Sequence, residues 1–145
     1  MYANLCPGAV ALGGPMSEVL PLAGSAGFAG VDPNVAEPAA ALLDLYRTHG
    51  LRIGSAGLPV EFRDTHARFR KDLADLPAFA ARLREIGCSR CATWLRPASD
   101  DLTYQENFAQ HARRLRAVAK ILADHGVRFG LEFVGPATSR KGKRC

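Results

Sequence analysis

His49-Gly50-Leu51-Arg52-Ile53-Gly54 and His125-Gly126-Val127-Arg128-Phe129-Gly130 share one pattern, His-Gly-(Leu/Val)-Arg-(Ile/Phe)-Gly, and this pattern decides the fold. Each copy follows a polar amphipathic stretch and opens a short apolar run. The first glycine fits the left-handed residue that ends a helix, where a Cβ would clash. The run after it has the length and composition of a strand. Two further junctions, Ala26-Gly27-Phe28-Ala29-Gly30-Val31 and Ile86-Gly87-Cys88-Ser89-Arg90-Cys91, repeat the arrangement. The junction glycines stand 23, 37 and 39 residues apart, spacings that suit helix-plus-strand units.

Outward from these junctions the helices carry their own signals. Thr103-Tyr104-Gln105-Glu106 is a capping box, and Phe108, Ala112, Leu115, Val118 or Ala119, and Leu122 follow at the 3.6-residue period. A helix is predicted from about Tyr104 to Asp124. Others are implied near 17–26, 35–49 and 65–86, the last interrupted or restarted at Pro77. Leu5 to Leu12 reads as an opening strand, and Val127 to Val134 as a fifth and closing one. Four β-α units and a final strand argue for a parallel sheet with helical crossovers, its strands apolar because both faces are covered.

The chain has 145 residues, 48% hydrophobic and 23% charged, which is the composition of one soluble domain and excludes a disordered chain. Every apolar stretch is broken well short of the roughly 20 residues of a membrane span. The first positive charge is Arg47, so no basic region opens a secretory signal, and the reading is cytoplasmic. Of the net charge of +5, four positive charges belong to the tail Arg140-Lys141-Gly142-Lys143-Arg144-Cys145, leaving +1 for the body. Arg68, Arg70, Lys71, Arg82, Arg84, Arg113, Arg114 and Arg116 have helical spacing and read as a solvated outer face. Apart from Phe69, no aromatic residues interleave them to stack bases, so they do not point to nucleic acid.

Parallel α/β sheets place their chemistry beyond the C-terminal ends of the strands. The candidates there are Gly13-Gly14, Asp32, Glu61, Trp94, Arg96 and Glu132. Glu132 is a carboxylate inside an apolar strand, costly to ionise unless a metal or a cation compensates it. Either it is a ligand, or it is a structural acid held by Arg96 or Arg128. Arg96 could hold a phosphate or carboxylate bidentately, or pair with Asp100 or Asp101. Asp32 and Glu61 read as solvated loop acids. Cys88 and Cys91 form a C-x-x-C whose spacing on a strand sends them to opposite faces, and with Cys6 and Cys145 they read as reduced thiols. His49 and His125 precede junction glycines and read as helix caps, while His66 and His111 are expected on the helices' outside. Gly8, Gly13 and Gly14 form no phosphate loop.

Gly130-Leu131-Glu132-Phe133-Val134-Gly135-Pro136, with Tyr104-Gln105-Glu106-Asn107 and Thr93-Trp94-Leu95-Arg96-Pro97 before it, resembles the sugar phosphate isomerase/epimerase family, the xylose isomerase-like TIM barrels. The likeness runs from Pro7-Gly8 to Pro136. It implies an α/β fold, a partial (truncated) TIM barrel of about five strands and four helices over residues 1–139, with 140–145 a basic tail outside the fold. It also implies metal-dependent proton transfer next to a carbonyl of a small-molecule sugar or sugar phosphate. By this resemblance Glu132, and no other residue, would be catalytic and a ligand of a divalent metal cation (Mn, Mg, Co or Zn); by position alone Trp94 either lines the sugar pocket or, the commoner use, packs beside its strand end, and Arg96 is a candidate substrate contact. The family barrel has eight units over about 250 residues. Its later metal ligands have no counterpart here, so the chain is expected to be weakly active or inactive alone and not to bind the metal tightly. The tail does not resemble the next amphipathic helix, and a frameshift, premature stop or gene-model error is the expectation. Open sheet edges invite self-association. Two alternatives stand: an endonuclease-like, nucleic-acid-binding barrel fragment, and a small flavodoxin-like α/β domain, whose strand order would have to reverse.

Overall fold

A computed structural model describes residues 2–95 and 99–133. The four junction glycines Gly27, Gly50, Gly87 and Gly126 all have the predicted left-handed backbone, with φ of 84°, 62°, 72° and 74°. Each stops a helix and releases a strand. In chain order the elements are β1 (Asn4–Leu5), α1 (Met16–Ser25), β2 (Gly30–Val31), α2 (Ala39–Thr48), β3 (Arg52–Ile53), β4 (Ala56–Gly57), α3 (His66–Glu85), β5 (Arg90–Leu95), α4 (Tyr104–Asp124) and β6 (Arg128–Phe133).

All strand pairs are parallel, in the orders β1-β2-β3 and β4-β5-β6. The third β-unit is bent at Gly54-Ser55, so its first part pairs with β2 and its second with β5. This sequential winding is the β/α-barrel arrangement, and it excludes the flavodoxin-like alternative, which needs a reversal.

Every helix buries a stripe at helical spacing: Met16, Val19, Leu20 and Ala23 on α1, Leu42 and Tyr46 on α2, Phe69, Leu76, Ala80 and Leu83 on α3, and His111, Leu115, Val118 and Leu122 on α4. These stripes meet Leu5, Val31, Ala56 and Cys91 from the strands in one core. Tyr46 spans the layers, its hydroxyl donating to the Val31 carbonyl at 3.0 Å. The capping box at Thr103 and Glu106 forms as predicted, and Thr65 caps α3.

Three expectations fail for local reasons. The opening strand is only Asn4–Leu5, because Pro7 fixes φ in the helical range and starts a 3-10 turn over Pro7–Val10. Pro77 does not interrupt α3. Its ring lies on the exposed side, and the buried stripe runs unbroken past it. Nor are the strands covered on both faces. Only the helix-facing side is packed, and on the other side Asn4, Arg52, Arg90, Trp94, Arg128 and Glu132 are all exposed.

Candidate functional site

Side chains alternate along a strand, so β5 and β6 sort cleanly into two faces. Cys91, Leu95, Phe129 and Leu131 lie toward the helices. Trp94 and Glu132 are register partners and stand side by side on the open inner face, close to the C-terminal ends of their strands. The structure therefore brings these two predicted site residues together. Arg96 lies outside the described residues.

Glu132 is exposed, contrary to the expectation of a buried carboxylate needing a counter-charge. The inner face is open, so water solvates it, and Arg128 lies a full four residues back along the same strand. Trp94 is 44% exposed. One face of its ring is taken by the Arg63 guanidinium, 4.4 Å from the ring centroid, which also lies 4.8 Å from that of Phe62.

Arg63 is held from behind by Glu61, through Nε to Oε1 at 2.7 Å and Nη2 to Oε2 at 3.2 Å. Glu61 is thus not the solvated loop acid expected. Burial pushes its carboxyl up, and the hydrogen bonds from Arg63 together more than reverse that, so it is held below the usual carboxylate range. Asp32 is also engaged: its Oδ1 accepts from Asn4 Nδ2 and from the Ser55 amide, each at 2.8 Å. Gly54 makes room for this network, since a Cβ there would come within 2.3 Å of Asp32 Oδ1.

Two residues assigned to the solvated side of the helices are buried instead. Arg114 is 8% exposed, and its Nη1 donates to the carbonyls of Phe62 at 2.9 Å and Asp64 at 2.6 Å. His111, also 8% exposed, packs edge-on against Phe62 at 5.1 Å between ring centroids. Burial, then the Arg63 and Arg114 charges, lower its pKa. Arg63 Nη1 and His111 Nε2 are the buried side-chain polar atoms without a hydrogen-bond partner among the described residues.

Sequence reasoning missed Arg63, although Glu61-Phe62-Arg63 places acid and base two residues apart in the turn that precedes α3. It also missed the arginines at the other end of the inner face. Arg52, Arg90 and Arg128 open three strands, and none forms an ion pair with a described carboxylate. Arg52 lies 4.9 Å from the centroid of the Tyr2 ring, and Arg90 Nη1 donates to the Tyr2 hydroxyl at 3.4 Å. The signal was present: an arginine recurs two or three residues after each of three junction glycines.

Cys88 and Cys91 do not divide between opposite faces as expected: Cys88 precedes β5 and so escapes the strand alternation, and both are buried in one core. Cys6, Cys88 and Cys91 are free thiols, and burial raises Cys91 to about 12. His125 Nδ1 lies 2.9 Å from the Ile121 carbonyl at the end of α4, the position of a cap. Among the described residues no group of three His, Cys, Asp or Glu side chains is placed to hold a metal ion, and no helix is long and apolar enough to cross a membrane.

The winding, the parallel register and the inner face at the strand ends define the chain as consecutive units of a β/α barrel. No protein-family model and no curated protein matches its sequence. Solved structures do. A xylose isomerase domain protein from Alicyclobacillus acidocaldarius superposes with a TM-score of 0.77 at 29% identity, over 94% of this chain and 51% of that one. The IolI protein with a bound zinc atom has a TM-score of 0.77 at 14% identity, over 93% and 52%. A D-psicose 3-epimerase crystallised with D-fructose has a TM-score of 0.69 at 12% identity, over 99% and 54%. The chain has the fold of the N-terminal portion of a xylose isomerase-like TIM barrel, and it spans about half the length of these structures.

Proposed function

We propose that this chain is a sugar isomerase/epimerase-like protein that presents part of a sugar site and is weakly active or inactive alone. The observation that carries the reading is the pairing of Trp94 with Glu132 on the inner face near the strand ends. An indole ring offers an apolar surface to the C–H face of a sugar, and a carboxylate beside it accepts a hydroxyl or takes a proton from carbon next to a carbonyl. The fold supports the same reading, because its neighbours include a xylose isomerase domain protein and sugar epimerases.

The divalent metal implied by the resemblance does not fit the described residues. Among them no group of three His, Cys, Asp or Glu side chains is placed to hold a metal ion, whereas tight divalent binding takes several oxygen or nitrogen ligands. No catalytic step is therefore routed through a metal here. Glu132 is proposed as the catalytic carboxylate and as one ligand of an incomplete set. Trp94 is proposed as the substrate platform and Arg96 as a further substrate contact, with a sugar or sugar phosphate as the small molecule.

Trp94 is the single tryptophan of the chain, so intrinsic fluorescence reports on this site directly. With D-fructose as the probe, a saturable change is expected that weakens in Glu132→Gln. No change, or one indifferent to that substitution, refutes the sugar site. Calorimetric titration with Mn²⁺ is expected to show no micromolar binding, and micromolar binding lost in Glu132→Gln would overturn the incomplete ligand set.

A further inference from the structure

Among the described residues β6 is an edge strand of six residues, with its backbone unpaired on one side. On its helix-facing side Phe129, Leu131 and Phe133 form, with Tyr104, Phe108 and Ala112 of α4, a groove of roughly 530 Å³. Phe108 is 64% exposed and Phe133 is 83% exposed, a large apolar surface to leave in water.

The sequence of this edge, Arg128-Phe129-Gly130-Leu131-Glu132-Phe133, is self-complementary about its glycine. Arg128 and Glu132 lie two residues on either side of Gly130 and face inward. Phe129 and Leu131 lie one residue on either side and face the groove. The Arg128 amide donates to the Ser89 carbonyl on the β5 side. Backbone direction alternates, so the N–H and C=O groups of Phe129, Leu131 and Phe133 point to the open edge.

We infer that β6 pairs antiparallel with β6 of a second copy of this chain about a two-fold axis through Gly130. In that register Phe129 of one copy and Leu131 of the other form hydrogen-bonded pairs, using the groups that point outward. Arg128 of each copy then stands opposite Glu132 of the other in the closely spaced, non-hydrogen-bonded positions, and Phe133 meets Val127. Moving the axis one residue either way sets the charges opposite other positions and loses both ion pairs, so the register is specified. The two-fold places both copies of α4 on the same side of the joined sheet, closing the two grooves against each other. Isologous two-fold pairing is also the commonest mode of homodimerisation. The inference goes beyond the sugar reading and does not depend on it.

Sedimentation equilibrium of the 145-residue chain tests it. The wild type is expected at about 31 kDa, twice its 15.6 kDa. Arg128→Glu and Glu132→Arg each replace two attractive cross-strand pairs by two repulsive ones, so each variant alone is expected to dissociate tenfold or more readily. Mixed in equal amounts, the two variants restore opposite charges at every pair and are expected to return to the dimer mass. Both positions are exposed, and circular dichroism matching the wild type shows that each variant is folded. A wild type monomeric up to near-millimolar concentration overturns the inference, and so does a dimer indifferent to either reversal. Failure of the mixture to re-associate also overturns it.

Discussion

Arg114→Met should be among the most damaging single substitutions of a charged residue in this chain. The arginine sits on α4 with only 8% of its surface exposed and ties that helix to the turn between β4 and α3. Its Nη1 donates to the Phe62 and Asp64 carbonyls, and its guanidinium lies 5.0 Å from the centroid of the Phe69 ring. Hydrogen bonds from a charged donor contribute about 1.5–3 kcal/mol each, and a truncated donor leaves its acceptors dry. Desolvation of the guanidinium, which lowers its pKa, offsets part of this gain. Methionine keeps much of the apolar stem, so the net loss is about 2–4 kcal/mol, a large share of the ~5–15 kcal/mol that stabilises a domain. At this length the thermal midpoint should fall by about 10 °C. Urea unfolding should show a lower midpoint with an unchanged slope, since the surface exposed on unfolding is the same. Arg113→Met, one residue away and exposed, is the control and should stay within about 0.5 kcal/mol. Equal effects of the two substitutions would refute the reasoning.

Stability should also fall on mild acidification through His111. Its folded pKa lies below the ordinary 6.5, so as pH drops through 6.5 the unfolded chain takes up the proton first and unfolding is favoured. The thermal midpoint measured from pH 7 to pH 5 should decline less steeply in His111→Leu than in the wild type, and parallel slopes would sink the assignment. Thiol accessibility offers a separate check. Iodoacetamide at pH 8 followed by peptide mapping should modify Cys6, which is exposed, and spare Cys88 and Cys91 until urea is added, because both are buried and both pKa values are raised. Labelling of Cys91 in the native protein at the rate of Cys6 would contradict the packed helix-facing side of β5.

The fold was legible because its punctuation is local. A helix that ends in a left-handed residue strongly favours glycine there, because a Cβ is strained in that backbone, so Gly27, Gly50, Gly87 and Gly126 announce four helix ends without reference to the rest of the chain. The capping box at Thr103 works through atoms three residues apart and was equally readable. The errors fall where a local rule competes with packing. Pro77 should break a helix, and it does not, because Leu76, Ala80 and Leu83 bury against the core on the opposite side and outweigh a cost of about 3 kcal/mol. Arg114 and His111 share a helix with exposed arginines. Their burial comes from the Phe62 turn, some 50 residues earlier in the chain, which helical periodicity alone does not reveal.

Glu132 shows why a site is harder to read than a fold. A carboxylate among Gly, Leu and Phe suggests burial only if both faces of the strand are covered, and that is a property of the neighbours rather than of the strand. Here the alternation of side chains puts Phe129 and Leu131 toward α4 and Glu132 toward an open face, where water reaches it. The inference from a costly buried charge to a metal therefore loses its premise. What remains is positional: Glu132 faces the same way as Trp94, its register partner, and stands near the strand end, where β/α barrels keep their chemistry. That placement is the ground for the role proposed for the carboxylate in sugar handling, and it does not imply that these residues alone complete a metal site.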